Sequence, residues 1–201
     1  MRKILLLTLA VLGYNLSVFA QNTKGEGNAK VLVSFFSHTG ENYGVGVIEK
    51  GNTHIVAEMI AEETGGKLFE IATVKPYPKT YKECVDVAKK EKESSARPAL
   101  KADIAIDDYD VIFIGYPNWW GEMPMAVYSF IEKHNWQGKK VVPFCTHEGS
   151  GLSSTEQSLK KACKGATVLS GLAMRGTTAQ NERANAGKDV KTWLARLNIN
   201  K

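Results

Sequence analysis

Apolar runs that are typical of buried β-strands alternate with amphipathic helical stretches through most of the chain. The alternation predicts an α/β fold with a doubly wound parallel sheet that is covered by helices on both faces. Five runs are predicted to be strands, and they begin at Lys30, Lys67, Asp110, Lys139 and Ala166. Apolar residues recur at helical spacing over residues 53–64, 81–94, 124–134, 155–164 and 188–197.

The first residues have the three parts of a secretory signal peptide. Arg2 and Lys3 precede an apolar run over residues 4–12, and small residues end the segment at Ala20. We therefore predict cleavage after Ala20. The alternative is a membrane anchor, but the apolar run is short for a membrane span of about 20 residues, and a polar stretch follows it.

The chain is predicted to consist of a signal peptide over residues 1–20, a polar linker over residues 21–29 and one folded domain over residues 30–199. Gln21, and not a cysteine, follows the predicted cleavage site, so neither a lipid anchor nor a stable membrane anchor is expected in the mature chain. This organisation predicts a bacterial protein that is exported to the periplasm or the extracellular space.

The composition suits one domain with one site. A chain of 201 residues with 43% hydrophobic content can bury a substantial core. Its formal charge falls from +5 to +3 when Arg2 and Lys3 are removed, which is too mild to indicate nucleic-acid binding. Three cysteines, Cys84, Cys145 and Cys163, can form at most one disulfide, so the chain is not a disulfide scaffold.

Three loops rich in glycine, hydroxyl and aromatic residues follow the first, third and fourth predicted strands. They read SHTGENY, YPNWWGEMP and THEGSGLSST. Because the carboxyl ends of parallel strands meet at one edge of a sheet, where α/β proteins bind ligands, the candidate site lies among these loops.

The first loop has the composition of a phosphate-binding turn. Its hydroxyl and glycine residues are Ser37, Thr39 and Gly40. Hydroxyls and closely spaced amides at a helix N-terminus bind anions without a lysine. Residues 43–51 then fit neither helix nor strand, whereas Asn52 and Thr53 are good N-cap residues for the next helix. We predict that an insertion splits the turn; the alternative is an ordinary glycine turn followed by an ordinary helix cap.

Two adjacent tryptophans, Trp119 and Trp120, lie in the second loop. Their rings are suited to stack on a flat aromatic ligand. Tryptophans are more often in the core, but this pair is bracketed by Pro117, Asn118 and Gly121 at the end of a strand, which favours a ligand-binding role.

The third loop contains the sequence EGSG at residues 148–151. It is either a turn before the next helix or a flexible stretch whose amides approach the edge of a ring. His38 and His147 have no cysteine or carboxylate at metal-ligand spacing, so we predict no metal site and no catalytic residue and expect both histidines to be polar surface groups. Cys145 is expected to be a packed thiol.

Taken together, the three loops resemble those of the flavodoxin family in order and position, from Lys30 to Leu197. The resemblance implies a five-stranded parallel sheet of order 2-1-3-4-5 and one non-covalently bound FMN. It implies that the phosphate loop begins with Ser37, His38, Thr39 and Gly40 and ends with Asn42 or with Asn52 and Thr53. The loop over one flavin face is implied to be Pro117, Asn118, Trp119, Trp120 and Gly121. The loop along the pyrimidine side is implied to be Thr146, His147, Glu148, Gly149, Ser150 and Gly151.

Two function hypotheses follow. The first is an FMN-dependent redox protein that passes electrons to a protein partner or to a quinone-like acceptor, as an electron carrier or as an oxidoreductase of NAD(P)H:quinone type. The second is a flavodoxin-like binding module that has no flavin and holds another ligand or partner, because the same fold serves several functions.

Overall fold

A parallel sheet of six strands forms the centre of the computed structural model, which describes residues 29–197 and residue 199. The strands in this part of the chain are β1 (Val31–Phe35), β2 (Gly40–Asn42), β3 (Gly46–Ile48), β4 (Lys67–Glu70), β5 (Val111–Pro117), β6 (Lys140–His147), β7 (Thr167–Val168) and β8 (Leu172–Arg175). The sheet has the order β4-β1-β5-β6-β7, and β8 also pairs with β6. The predicted order 2-1-3-4-5 is confirmed, with the fifth predicted strand divided into β7 and β8.

Helices cover both faces of the sheet. They are α1 (Asn52–Thr64), α2 (Tyr81–Glu93), α3 (Met125–Ile131), α4 (Thr155–Ala162), α5 (Gly176–Asn181) and α6 (Arg183–Leu194). Adjacent residues of β1 point into two separate cores: Leu32 packs with α2, α3 and α4, and Val33 packs with α1, α5 and α6. β1 is buried along its whole length, as is typical of a parallel strand covered on both faces, so the doubly wound fold is confirmed.

The fifth predicted strand is interrupted opposite Pro143 of β6. Between the two paired segments, the edge strand contains one residue more than β6 does. Pro143 has no N–H to donate to a neighbouring strand. Gly171 packs against its ring, where an added Cβ would lie 2.9 Å from Pro143 Cγ. The interruption is therefore a local bulge between two segments that both pair with β6.

The segment between β1 and α1 contains a β-hairpin. β2 and β3 pair antiparallel, with Gly40 opposite Ile48. The connecting turn uses Gly44 and Gly46, whose φ angles are +81° and +72°. Each strand of the hairpin has only three residues and no buried face. The hairpin therefore has no alternation of apolar and polar residues by which it could be predicted. The expectation that residues 43–51 contain no strand is wrong.

The helix boundaries differ from the predicted ones mainly in the last third of the chain. α6 begins at Arg183, five residues before the predicted start at residue 188, and α5 was not predicted at all. Neither Gly176–Asn181 nor the first turn of α6 has a regular apolar spacing. The buried core residues of these two helices are Ala179, Ala186, Val190 and Trp193, with the partly buried Leu194 packed against them. The third predicted helix is shorter than expected and starts after Pro124.

The predicted signal peptide and residues 21–28 of the predicted linker lie outside the described residues. Within the part of the chain that is described, no helix is both long and apolar enough to cross a membrane. Cys84, Cys145 and Cys163 are all buried and free, and the prediction that Cys145 is a packed thiol is confirmed.

Candidate functional site

A cleft opens at the carboxyl edge of the sheet, where the sequence predicts a ligand site. It is bounded by the loop after β1, the hairpin, the first half of α2 and the loops after β5 and β6. Its volume is about 300 Å³, at the lower end of the range for small-molecule pockets. The carboxyl ends of β1, β5 and β6 are therefore brought together around one cavity.

The two halves of the split turn meet at the N-terminus of α1. Ser37 Oγ accepts a hydrogen bond from the backbone N–H of His54 at 3.1 Å, and so satisfies a donor that a helix N-terminus leaves free. Gly51 lies so close that an added Cβ would be 2.2 Å from Ser37 Oγ and 2.4 Å from the carbonyl oxygen of His38. The chain thus leaves the turn after Gly40, forms the hairpin and returns beside Ser37 at Gly51. This geometry agrees with an insertion, while phosphate binding by the turn stays a prediction.

Thr39 and Gly40 pack against the segment before α2. The Lys79 ammonium donates a hydrogen bond to Thr39 Oγ1, and the backbone N–H of Glu41 donates to the Lys79 carbonyl at 2.7 Å. An added Cβ on Gly40, whose φ is +100°, would lie 2.6 Å from that carbonyl oxygen. Both residues line a shallow groove beside the hairpin rather than the cleft. Lys79 therefore brings a positive charge to the turn that sequence analysis missed, since no motif links it to Thr39.

Asn52 and Thr53 begin α1 and differ in their surroundings. Asn52 lines the cleft, and its buried Oδ1 has no hydrogen-bond partner. Thr53 is only 1% exposed, and its hydroxyl shares a hydrogen bond of 2.7 Å with the hydroxyl of Thr146. Thr53 thus ties the start of α1 to the end of β6, while Asn52 offers an acceptor at the cleft.

His38 is buried, and the expectation that it is a surface group is wrong. It is 9% exposed, and its Nε2 has no hydrogen-bond partner. Its ring stands edge-on to Trp119, with the ring centroids 5.8 Å apart. Burial, and secondly the charge of Lys79, lower the pKa of His38 to about 4. The imidazole is therefore neutral at neutral pH.

The two tryptophans have different roles in packing. Trp119 stands edge-on to Phe36 and Tyr77, with centroid distances of 5.3 and 5.1 Å. Trp120 is 49% exposed and has a left-handed φ of +58°. Its indole N–H donates to the carbonyl of Val85 in α2 at 3.2 Å. Both rings line the cleft, so Trp119 joins the cleft to the core and Trp120 joins it to α2.

Asn118 connects the loops after β5 and β6. Its backbone N–H donates to the Thr146 carbonyl at 2.8 Å. Its Nδ2 donates to the Gly151 carbonyl and to Ser153 Oγ, both at 2.9 Å, and its Oδ1 accepts from the N–H of Gly121 at 2.9 Å. One side chain thus fixes the distance between the two loops that the sequence assigns to a flat ring.

The third loop places His147 and Glu148 on the cleft wall. His147 Nδ1 accepts from the N–H of Gly149 at 2.8 Å, and burial, followed by the charge of Arg175, lowers the pKa of His147. Glu148 accepts from the backbone N–H of Thr177 at 2.7 Å and from its hydroxyl at 3.2 Å. These contacts hold the Glu148 carboxylate against the start of α5.

The structure brings together only part of the predicted set of site residues. Those that line the cleft are His38, Asn42, Asn52, Pro117, Asn118, Trp119, Trp120, Thr146, His147 and Glu148. Those that do not are Ser37, Thr39, Gly40, Thr53, Gly121, Gly149, Ser150 and Gly151. Some residues of the second group, among them Ser37, Thr53 and Gly121, hold the segments around the cleft in place through the hydrogen bonds described above.

One wall of the cleft contains no residue that was predicted individually from the sequence. Its residues come from the hairpin and from α2, and they are Glu41, Tyr43, Tyr81, Cys84, Val85 and Ala88. No spacing in the sequence links these segments, because only the packing of the hairpin against α2 brings them together. Burial, and then the charge of Glu91, raise the pKa of Cys84 to about 12, so its thiol is protonated at neutral pH. Among the described residues, no group of three or more potential metal ligands is arranged to hold an ion.

Comparisons with known proteins give a consistent assignment. None of the curated proteins matches this chain. A solved structure from Bacteroides eggerthii, of a protein assigned to the flavoproteins, is 31% identical over 84% of this chain and 97% of that one, with a TM-score of 0.65. Another such protein, from Bacteroides uniformis, is 29% identical over 85% of this chain and all of that one (100%), with a TM-score of 0.66.

A more distant structure shares the fold. It is a flavoprotein from Lactobacillus acidophilus in complex with FMN, 20% identical over 78% of this chain and 99% of that one, with a TM-score of 0.57. The sequence model of the flavodoxin family matches residues 30–195. The match includes all three loops and nearly every described element, and this chain therefore belongs to the flavodoxin family.

Proposed function

We propose that this chain binds one FMN non-covalently in the cleft and acts as a redox protein through it. The observation that carries the proposal is a pair of buried polar atoms without partners, Asn52 Oδ1 and His38 Nε2, in residues that line the cleft. Buried polar atoms are rarely left unpaired in proteins, and the flavin ring offers both donors and acceptors. Membership of the flavodoxin family supports the same cofactor.

The N-terminus of α1 is the part of the site that suits the phosphate group. α1 is 13 residues long and has no acidic residue in its first turn, so its amides and dipole favour an anion there. Lys79, which contacts Thr39, adds a positive charge beside the same turn. The hydroxyl of Ser37 already caps the helix and positions the turn.

The rest of the cleft suits an uncharged aromatic ring. Trp119 and Trp120 provide aromatic surface. The groups beside them are neutral at neutral pH, since His38 has a pKa of about 4 and Cys84 one of about 12. Bound FMN supplies reversible uptake of electrons, and the chain contributes the stacking surface, the exclusion of water and the local charge that set its potential.

The electrons are passed to a protein partner or to a quinone-like acceptor, and in the second case the chain is an oxidoreductase of NAD(P)H:quinone type. The competing hypothesis is a flavin-free binding module with the same fold. The absorbance spectrum of the purified protein, before and after incubation with FMN and removal of the excess, tests the choice. We expect a yellow protein that releases FMN on denaturation. A protein that stays colourless after incubation would favour the flavin-free module.

We also propose that the chain is exported. The basic start, short apolar run and small residues before Ala20 support cleavage at that position. Mass spectrometry of the protein from its native host should find a mature N-terminus at Gln21. Recovery of the full-length form from the cytoplasm would contradict export.

A further inference from the structure

We propose that the hairpin and α2 form a second aromatic binding site in the cleft, for an uncharged planar ring of the quinone class. The inference rests on the proposed function, because the molecule bound here is the electron acceptor of the FMN-loaded protein. It assigns a binding role to Tyr43 and Tyr81, and it places the acceptor on the wall made by the hairpin and α2.

Two exposed aromatic residues of this wall, Tyr43 and Tyr81, form a row with Trp120 of the loop after β5. Tyr43, in the hairpin turn, is 66% exposed, and Tyr81, at the start of α2, is 41% exposed. Their ring centroids are 6.0 Å apart. Trp120 extends the row, since its indole N–H is bonded to the carbonyl of Val85, one helical turn after Tyr81. All three line the same cleft. Clustered exposed aromatic rings at the mouth of a cleft are typical of ligand-binding surfaces.

The wall is held in place by contacts at the base and tip of the hairpin. Glu41 Oε2 accepts from the backbone N–H of Tyr81 at 2.8 Å, so the first strand of the hairpin caps α2. At the tip, an added Cβ on Gly44 would lie 3.2 Å from Glu148 Cδ and 3.3 Å from Thr177 Cγ2. The backbone beside Tyr43 is therefore held close to the loop after β6, and the Tyr43 ring lies beside Tyr81 of α2. Preorganised surfaces of this kind bind ligands without a large cost of ordering.

The charges on the walls select an uncharged ligand. Among the described residues that line the cleft, none is a lysine or arginine, and the two acidic ones are Glu41 and Glu148. Glu148 pairs with Arg175 at 3.8 Å, whereas Glu41 accepts a hydrogen bond from the backbone of α2. Burial lowers the pKa of both histidines on the walls, so neither contributes a positive charge at neutral pH. An anionic ring beside Tyr43 and Tyr81 is therefore repelled mainly by the Glu41 carboxylate.

Two lysines contact the outer side of the row. Lys89 lies 5.6 Å from the centre of the Trp120 ring and also pairs with Glu93 at 3.8 Å, and Lys92 donates to the Trp120 carbonyl at 2.6 Å. Neither lines the cleft. Inside the cleft, Cys84, Val85 and Ala88 complete an apolar surface beside the rings. The aromatic and apolar residues on this wall, and the absence of a positively charged side chain among them, suit a flat, neutral quinone.

Two matched quinones test the site by calorimetric titration of the FMN-loaded protein. One is 2-methoxy-1,4-naphthoquinone, which is uncharged, and the other is 2-hydroxy-1,4-naphthoquinone, which is ionised at neutral pH. We expect the uncharged quinone to bind at least about tenfold more tightly, because the Glu41 carboxylate repels the anion. Equal affinities, or tighter binding of the anion, would overturn the selection by charge.

Variants of the row identify the residues. Tyr43→Ala and Tyr81→Ala should each raise the Kd of the uncharged quinone about threefold to tenfold, as expected for the loss of one ring contact. Tyr43→Phe retains the ring and should bind within about twofold of the parent protein. Val47→Ala, a change at an exposed residue of the same hairpin that does not line the cleft, is the matched control. Unchanged quinone affinity in the double variant Tyr43→Ala/Tyr81→Ala would overturn the proposal.

Parallel FMN titrations separate this inference from the proposed function. If Tyr43→Ala weakens FMN as much as it weakens the quinone, Tyr43 belongs to the flavin site and the second site is wrong. If the unmodified protein takes up no FMN, the proposed function fails, and the quinone titration is made on the FMN-free protein. If the FMN-free protein binds the quinone and the Tyr43→Ala and Tyr81→Ala variants bind it more weakly, the aromatic site is supported. If the variants bind it equally well, or the protein does not bind it, the aromatic site is wrong.

Discussion

Gly51 is the residue on which the split turn depends most directly. It stands where any side chain would meet Ser37 Oγ at 2.2 Å and the His38 carbonyl oxygen at 2.4 Å. Gly51→Ala should therefore push the turn away from α1, raise the Kd for FMN at least about tenfold and lower the free energy of unfolding by about 1–3 kcal/mol. Fluorescence titration and urea denaturation measure the two effects.

Gly187→Ala is the matched control for Gly51→Ala. Gly187 lies within α6, and an added Cβ there meets nothing within 4 Å. The control should leave FMN binding unchanged and stabilise the fold by up to about 1 kcal/mol, because alanine favours a helix more than glycine does. If the two variants bound FMN equally well, the turn would not depend on Gly51.

His38 gives the stability of the protein a pH dependence of defined sign. Its pKa is about 4 in the folded protein, against 6.5 when unperturbed. Between these two values the unfolded chain binds a proton that the folded protein does not, so the free energy of unfolding falls as the pH decreases through this range. In the His38→Gln variant, the free energy of unfolding measured by urea denaturation should fall less steeply over the same pH range. An unchanged slope would mean that His38 titrates normally in the folded protein.

At the scale of elements, α1 is joined to β6 by two hydroxyl groups. Thr53 and Thr146 share a buried hydrogen bond of 2.7 Å. Thr53→Val leaves the Thr146 hydroxyl unpaired and should cost about 1–3 kcal/mol of stability. The double variant Thr53→Val/Thr146→Val should cost less than the sum of the single variants, because it leaves no polar atom unpaired. Additive losses in a double-mutant cycle would show that the two hydroxyls do not act as a pair.

The hairpin is a separable element in this account. The turn is closed by the contact between Ser37 and Gly51, so the deletion of residues 43–50 should leave the fold intact and the Kd for FMN within about tenfold of the parent value. The same deletion removes Tyr43 and should weaken binding of the uncharged quinone. Titration with each ligand distinguishes the two effects. Loss of FMN binding with retained folding would show that the hairpin itself completes the flavin site.

The sequence predicts the elements that have a regular apolar pattern and fails for those that have none. The central strands are buried on both faces and read as continuous apolar runs, so β1, β5 and β6 were located correctly. The hairpin has strands of three residues without a buried face. α5 likewise has no regular spacing, and only Gly176 and Ala179 within it are buried. Pattern alone cannot separate such segments from loops.

At the scale of the whole molecule, the topology explains which part of the site was predictable. Parallel strands bring their carboxyl ends to one edge, so the loops after β1, β5 and β6 were expected to meet, and they do. The wall made by Tyr43 and Tyr81 depends on how an inserted hairpin packs against a helix that is distant in sequence. The burial of His38 likewise depends on a segment distant in sequence, because its ring stands edge-on to Trp119. No local pattern contains that information.

We propose that the split turn and the N-terminus of α1 hold the phosphate of a bound FMN. Parallel titrations of the flavin-free protein with FMN and with riboflavin, followed by quenching of flavin fluorescence, test it most directly, because the two ligands differ only in the phosphate group. We expect FMN to bind at least about a hundredfold more tightly than riboflavin, a difference of about 2.7 kcal/mol in binding free energy. Equal affinities for FMN and riboflavin would contradict it and would show that the turn at Ser37 does not bind phosphate.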